Sequence, residues 1–238
     1  MSAMMDMHRN QIEMFSKPKQ LGFSPYESNE GSIVAIGGED YAIIASDTRL
    51  STGYSIYSRN QPKLFKLSDK TVLGSAGCWC DVLTLTRIVE ARLKMYRHEH
   101  NKEMSTPAVS QLLSTLLYYK RFFPYYAANV VAGLDEDGKG CVYNYDSVGS
   151  KGCEKYIAAG SSQHLLQPLL DNQLYFQAAF KNMEGPRPPP LTLEKAISLV
   201  QDVFTSAAER DIYTGDSVVM NIITKGGIKE ITFELRKD

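Results

Sequence analysis

Long hydrophobic runs are missing from this 238-residue chain, and so is any excess of one charge. The first twenty residues, MSAMMDMHRNQIEMFSKPKQ, interleave methionines with Asp6, Arg9, Glu13 and Lys17 and leave no apolar core for a secretory signal. No later run reaches the length that crosses a bilayer, so a soluble intracellular protein is expected. The formal net charge of -1 offers no long-range field for nucleic acid or another polyanion. Cysteine is scarce: Cys78, Cys80, Cys141 and Cys153 are expected as free thiols rather than a disulfide framework. Cys78-Trp79-Cys80 has a one-residue spacer and no second Cys or His pair to complete a tetrahedral site, so no metal and no cofactor is expected. His8, His98, His100 and His164 form no ligand spacing and are expected in solvent. No linker or internal repeat divides the chain.

What is present is a succession of short strand patterns and paired helical ones. Residues 1–21 carry no apolar periodicity and are expected as a flexible extension, with one domain over 22–238 and Phe23, Pro25 and Tyr26 anchoring an extended arm. SIVAIGG and YAIIASD, joined through Gly38-Glu39-Asp40, predict an antiparallel pair, and TVLGSAG a further strand. DVLTLTRIVEARLKMYRHEH places Val82, Leu85, Ile88, Val89, Leu93 and Tyr96 on one helical face. Thr106-Pro107 predicts a capped start for a second helix that stops at Pro124. AANVVAGLD and GCVYNYDS turn on Asp137-Gly138, and EKYIAAGSS reads as one more strand. QHLLQPLLDNQL reads as a helix despite Pro168, and LTLEKAISLVQDVFTSAAERD as a long helix capped by Thr192 with Glu194 in its first turn. A terminal hairpin, SVVMNIIT and IKEITFELR, closes the chain through Lys225-Gly226-Gly227.

Hairpins and helix pairs exclude a doubly wound parallel sheet, which needs strict alternation. The expected class is α+β: a four-layer αββα sandwich, two antiparallel sheets between helix pairs. NMEGPRPPPL is too proline-rich for regular structure and is expected as a loop, either a solvent excursion or a contact arm.

The set GSIVAIGGEDYAIIASDTRLSTG, PKLFKL, GSAG, RFFPYYAANVVAGLDEDGKG and AAERDIYTGDSV, in this order, resembles the β-type subunits of the eukaryotic 20S proteasome core, most of all those at the sixth β position of the ring. The likeness spans roughly residues 22–238. It implies the N-terminal-nucleophile hydrolase fold. In active members, it further implies, self-cleavage after a glycine frees a threonine that attacks peptide carbonyls, its own amine relaying the proton. Asp47 and Lys63 lie sixteen and thirty-two positions after Gly31, the intervals that active members keep from their threonine. Gly77 then falls where they have an oxyanion N–H, and Ser161, Asp211 and Thr214 where they support the amine, Thr214 replacing a serine. The nucleophile's own place holds Gly31.

Ser32 is one residue along, and in a strand one residue is the opposite face. Shared with Val34 and Ile36, its hydroxyl is expected to point away from Lys63, leaving a site shell without catalysis. Each retained residue also has a purely structural reading. Asp47 can end its strand on turn backbone, Lys63 and Asp47 can be a buried ion pair, and Asp211 can be a helix-end contact. The resemblance implies a structural role beside the other α and β subunits, two copies per particle, with regulatory caps reached indirectly, in cytoplasm and nucleus, without nucleic acid or membrane. The arm from Gly22 to Glu30, the loop at Gly185 to Pro190 and the tail ELRKD are the segments expected to encode its place. Two other readings stand beside it: a serine-nucleophile amidase using Ser32, and an α-type ring subunit, which would carry a longer helical extension at its start.

Overall fold

The structure is a computed structural model that describes residues 24–179 and 190–237. Both the 1–21 extension and the loop at Gly185 to Pro190 lie outside the described residues, except Pro190. In chain order the elements are β1 (Ser32–Gly37), β2 (Tyr41–Asp47), β3 (Leu50–Thr52), β4 (Ser55–Ser58), β5 (Leu64–Ser68), β6 (Thr71–Gly77), α1 (Trp79–His100) and α2 (Thr106–Tyr119). They continue with β7 (Ala127–Leu134), β8 (Gly140–Tyr145), β9 (Lys151–Glu154), β10 (Tyr156–Gly160), α3 (Gln163–Ala179), α4 (Leu193–Ala208), β11 (Ser217–Thr224) and β12 (Gly227–Glu234).

Two five-stranded antiparallel sheets form, ordered β10-β1-β2-β11-β12 and β5-β6-β7-β8-β9, with β3 and β4 as a separate hairpin. The strands of β1 and β2 are apolar on both faces because both faces are covered. Ile33, Ala35, Ala42 and Ile44 meet Val72, Val130, Ala132 and Val142 of the other sheet. Val34, Ile36, Ile43 and Ala45 turn the other way, onto Leu166 and Leu170 of α3 and Val200, Val203 and Phe204 of α4. On the far side, Leu73 and Val131 pack against Leu85 and Val89 of α1 and Leu113 and Leu117 of α2. The result is the expected αββα stack, held by three apolar layers rather than one. Fully burying each Val, Leu, Ile or Phe among them contributes about 1.5–3 kcal/mol.

Several local expectations are corrected. EKYIAAGSS is not one strand: at Lys155 the chain leaves β9, paired to β8 in one sheet, and enters β10, paired to β1 in the other. Thr106 is not the cap of α2. Ser105 holds that position, and the Thr106 hydroxyl instead donates to Leu134 O at 2.7 Å, tying the helix to β7. Thr192 does sit at the N-cap of α4, but without a side-chain cap hydrogen bond. α2 ends at Tyr119, before Pro124, in turns where Lys120 N–H donates to Leu117 O and Phe123 N–H to Lys120 O. Tyr26 anchors the arm as expected: its hydroxyl donates to Pro124 O at 2.7 Å and its ring lies against Phe123 and Tyr126. No helix among the described residues is long and apolar enough to cross a membrane.

Candidate functional site

β1 begins where the two sheets open, and its first residues set the geometry of the site. Gly31 has φ +105°, in the region that favours glycine. A Cβ built there would lie 2.5 Å from Lys63 Cε and 2.9 Å from Cδ and Nζ. Position 31 therefore faces Lys63, as the alternation of β1 requires, and the lysine stem fills the space a side chain at 31 would need.

Lys63 is wholly buried, and its ammonium is fully used. Nζ donates to Asp47 Oδ1 at 2.9 Å, to Asp47 O at 3.1 Å and to Arg49 O at 2.6 Å. An ammonium has three donors and no acceptor, so nothing remains for a reacting group. Asp47 Oδ1 also accepts the Ser32 N–H at 2.9 Å, while Oδ2 is buried without a partner. Burial pushes the Asp47 carboxyl up and the Lys63 amine down, each against the attraction of the other. The pair is thus held by mutual need: either charge alone would be stranded in a dry interior.

Ser32 turns the other way. Its Oγ is within hydrogen-bond distance of Ser162 Oγ and lies 2.8 Å from Thr214 Oγ1 and 3.3 Å from Ser161 Oγ. Ser161 and Thr214 each donate to Asp211 Oδ2 at 2.8 Å, so the hydroxyl cluster ends on one carboxylate. Asp211 is more than a helix-end contact: it gathers the loop before β11 onto the end of β10. Ser161, Asp211 and Thr214, which the resemblance puts where active members support the amine, come together in this cluster. Ser162, wholly buried and bonded to Thr214 Oγ1 at 2.6 Å, was missed. A serine beside a serine gave no signal of which one would turn inward.

Gly77, at φ +124°, has its N–H occupied by the chain itself, donating to Glu30 O at 3.3 Å, while Asn29 N–H donates to Gly77 O at 3.1 Å. The arm thus lies along the end of β6, with Asn29 only 6% exposed. Asn29 Oδ1 accepts the Trp79 N–H at 2.9 Å and Nδ2 donates to Thr52 Oγ1 at 2.9 Å. Since Cys78 makes no side-chain cap to α1, Asn29 supplies that cap from fifty residues upstream. Asn29→Ala is expected to cost about 1–2 kcal/mol in urea unfolding, within the range of lost N-caps. A second element the sequence did not reveal clamps the other side. Arg49 Nε donates to Asp216 Oδ2 at 2.9 Å, and Arg59 Nη1 bonds Asp216 Oδ1 at 2.5 Å.

Burial alone would raise the Asp216 carboxyl, but the hydrogen bonds and charges of Arg49 and Arg59 outweigh it and hold it below its usual range. A depressed carboxyl stabilises above the unfolded value of about 3.9 and loses that contribution as pH falls through the folded value. Asp216→Asn is expected to cost about 1–3 kcal/mol near neutral pH. It should also flatten the acid limb of a stability profile below about pH 4.

A cleft of about 360 Å³ opens beside this region, lined by Glu30, Gly31, Gly77, Tyr126, Asp146 and Ser161 among others. Neither Ser32 nor Lys63 lines it, and both are fully buried. The amide nitrogen of Ser32 is joined to Gly31, and its N–H is held by Asp47 Oδ1. No group of three His, Cys, Asp or Glu able to hold a metal is found among the described residues.

The family model described as proteasome subunit matches residues 28–223. Proteasome subunit beta type-1 of Drosophila melanogaster is 57% identical over 222 residues, covering 92% of this chain and 93% of the relative. Proteasome subunit beta type-1 of Danio rerio is 56% identical over 224 residues, 94% and 93% of the two chains. Proteasome subunit beta type-6 of Saccharomyces cerevisiae is 42% identical over 231 residues, 95% and 96% of the two. With the αββα stack, the position of Gly31 opposite Lys63 and matches of this length, the chain belongs to the proteasome subunit family.

Proposed function

We propose that this chain is a non-catalytic, structural β subunit of the 20S proteasome core, contributing to its β ring and to the walls of its proteolytic chamber. Gly31 carries the reading: where a nucleophile would stand there is no side chain, and Lys63 fills the space in front of it. Three further features support it. The N–H expected to stabilise an oxyanion is bonded to Glu30 O, the Lys63 ammonium is saturated, and Ser32 is buried on the opposite face. The serine-nucleophile alternative fits poorly, since the Ser32 hydroxyl is buried among Ser162 and Thr214 on the face away from Lys63 and does not line the cleft.

Its partners in this reading are the other α and β subunits, with two copies of this chain per particle and regulatory caps met only through the outer rings. Cytoplasm and nucleus are its expected compartments. It takes part in protein degradation by giving the chamber its shape, without attacking peptide bonds. Ring closure by heterologous contacts requires each subunit to fit its own neighbours, which is a sufficient reason to keep a chain without chemistry. Native mass spectrometry of the affinity-tagged chain tests the assembly. Two copies in a large complex with α and β proteasome subunits are expected; recovery only as a monomer would remove the reading.

A further inference from the structure

Two thiols that lie twelve positions apart in the sequence come together at the edge of the second sheet. β9 is its edge strand, paired only to β8, with Tyr143 opposite Cys153 and Tyr145 opposite Lys151. Alternation puts Cys141, Tyr143 and Tyr145 on one face of β8, and Lys151 and Cys153 on the same face of β9. Position 152 shows the phase: a Cβ built on Gly152 would lie 2.5 Å from Asn144 Oδ1, on the other face. Side chains of this pair lean across one diagonal, since Lys151 Nζ stands 5.5 Å from the Tyr143 ring centroid. One step along, the same diagonal joins Cys153 to Cys141. Cys153 is exposed, whereas Cys141 is only 9% exposed and its Sγ donates to Gly133 O at 3.4 Å. Burial first, then Asp135 and Cys153, push the Cys141 thiol up to about 11, so the two sulfurs are close enough for one to feel the charge of the other.

We propose that Cys141 and Cys153 form a two-coordinate site for a soft monovalent metal ion, Cu(I), which bridges β8 to the edge strand β9. Distance decides between this and a disulfide. Diagonal neighbours in an antiparallel pair have Cα atoms about 7–8 Å apart. A disulfide reaches at most about 6.8 Å between Cα atoms without moving the backbone. A metal ion in line between two sulfurs, with bonds of about 2.3 Å as in zinc thiolates, holds them roughly 4.6 Å apart and spans the diagonal. Thiolates select Cu(I) among the first-row metals. Zinc would need four ligands, and no group of three His, Cys, Asp or Glu able to hold a metal is found among the described residues. On binding, each thiol releases its proton to solvent and each sulfur makes one bond to the ion. The metal stays Cu(I) throughout, and the dithiolate complex carries one negative charge. Lys151, on the same face, is the cation that offsets it.

The test uses the full-length chain in its native assembly. It is incubated without oxygen with an excess of the Cu(I)–glutathione complex, so that a single surface thiol gains nothing over glutathione, and is then freed of small molecules. Alkylation of Cys153 by iodoacetamide, mapped by peptide mass, is expected to slow at least about tenfold relative to the metal-free chain, because a metal-bound sulfur is no longer a free nucleophile. Cys141→Ser keeps a donor for Gly133 O and is expected to restore the metal-free rate. Cys153→Ser, at an exposed position, is expected to lower the copper retained by one equivalent per chain. Alkylation of Cys153 as fast with copper as without it would overturn the site, as would protection already present before copper is added, protection that survives Cys141→Ser, or unchanged copper in Cys153→Ser. Each of these results would leave the chain's place in the proteasome core untouched.

Discussion

Gly31→Thr is expected to leave the chain inactive and to destabilise it by about 2–6 kcal/mol, the combined range for a strained backbone and an overpacked core. The variant restores a hydroxyl at the position that lacks one, so a site disabled only by that loss would gain activity. Two features argue otherwise. At φ +105° a β-branched residue is strained before it touches anything. Its Cβ would then lie 2.5 Å from Lys63 Cε, the stem of a side chain fixed by three hydrogen bonds. Either Lys63 gives up its partners or the strand start moves, and the arm bonded to Gly77 moves with it. Urea unfolding and a fluorogenic peptide assay on reconstituted particles read the two halves of this expectation separately.

The second large effect is expected at the buried pair. Lys63→Met keeps the apolar stem and removes the charge, leaving Asp47 alone where neither residue has measurable exposure. A loss of about 3–5 kcal/mol is expected for a stranded buried charge. The pH dependence identifies the cause. Burial already raises the Asp47 carboxyl, and removing Lys63 removes the attraction that opposes the rise. A carboxyl raised in the folded state gives stability that is complete below the unfolded value of about 3.9 and is lost as pH climbs through the folded value. The variant should therefore recover more stability on acidification than the native chain does. Asp47→Asn combined with Lys63→Met is expected to recover much of the loss at neutral pH. Equal deficits at pH 4 and pH 8 in the single variant would contradict the account.

The residues show how much of this could be read in advance. The split between Gly31 and Ser32 was legible because strand alternation is local: Ile33 and Ala35 go between the sheets, Val34 and Ile36 go to the helices, and the two candidate positions follow them. The helix pairs were legible from spacing, and the layer count from the pairing of elements. What escaped depends on groups brought together across the chain. Asn29 caps α1 only because the arm is laid along β6, and Arg49 finds Asp216 at a separation of 167 residues. EKYIAAGSS reads continuously as strand because its pattern does not change at Lys155, where the chain changes sheets. Thr106 carries a capping residue's chemistry, but its hydroxyl is drawn to Leu134 O and the cap passes to Ser105. Local propensity offered both arrangements, and packing chose between them.

Central to the proposed function is that the site at Gly31 offers no group to attack a carbonyl, and a covalent probe tests this most directly. Assembled particles would be treated with an electrophile that acylates N-terminal hydroxyl nucleophiles, then resolved by intact mass. The chain should keep its mass while active subunits of the same particle gain the adduct; an adduct mapped to Ser32 of this chain would contradict the claim.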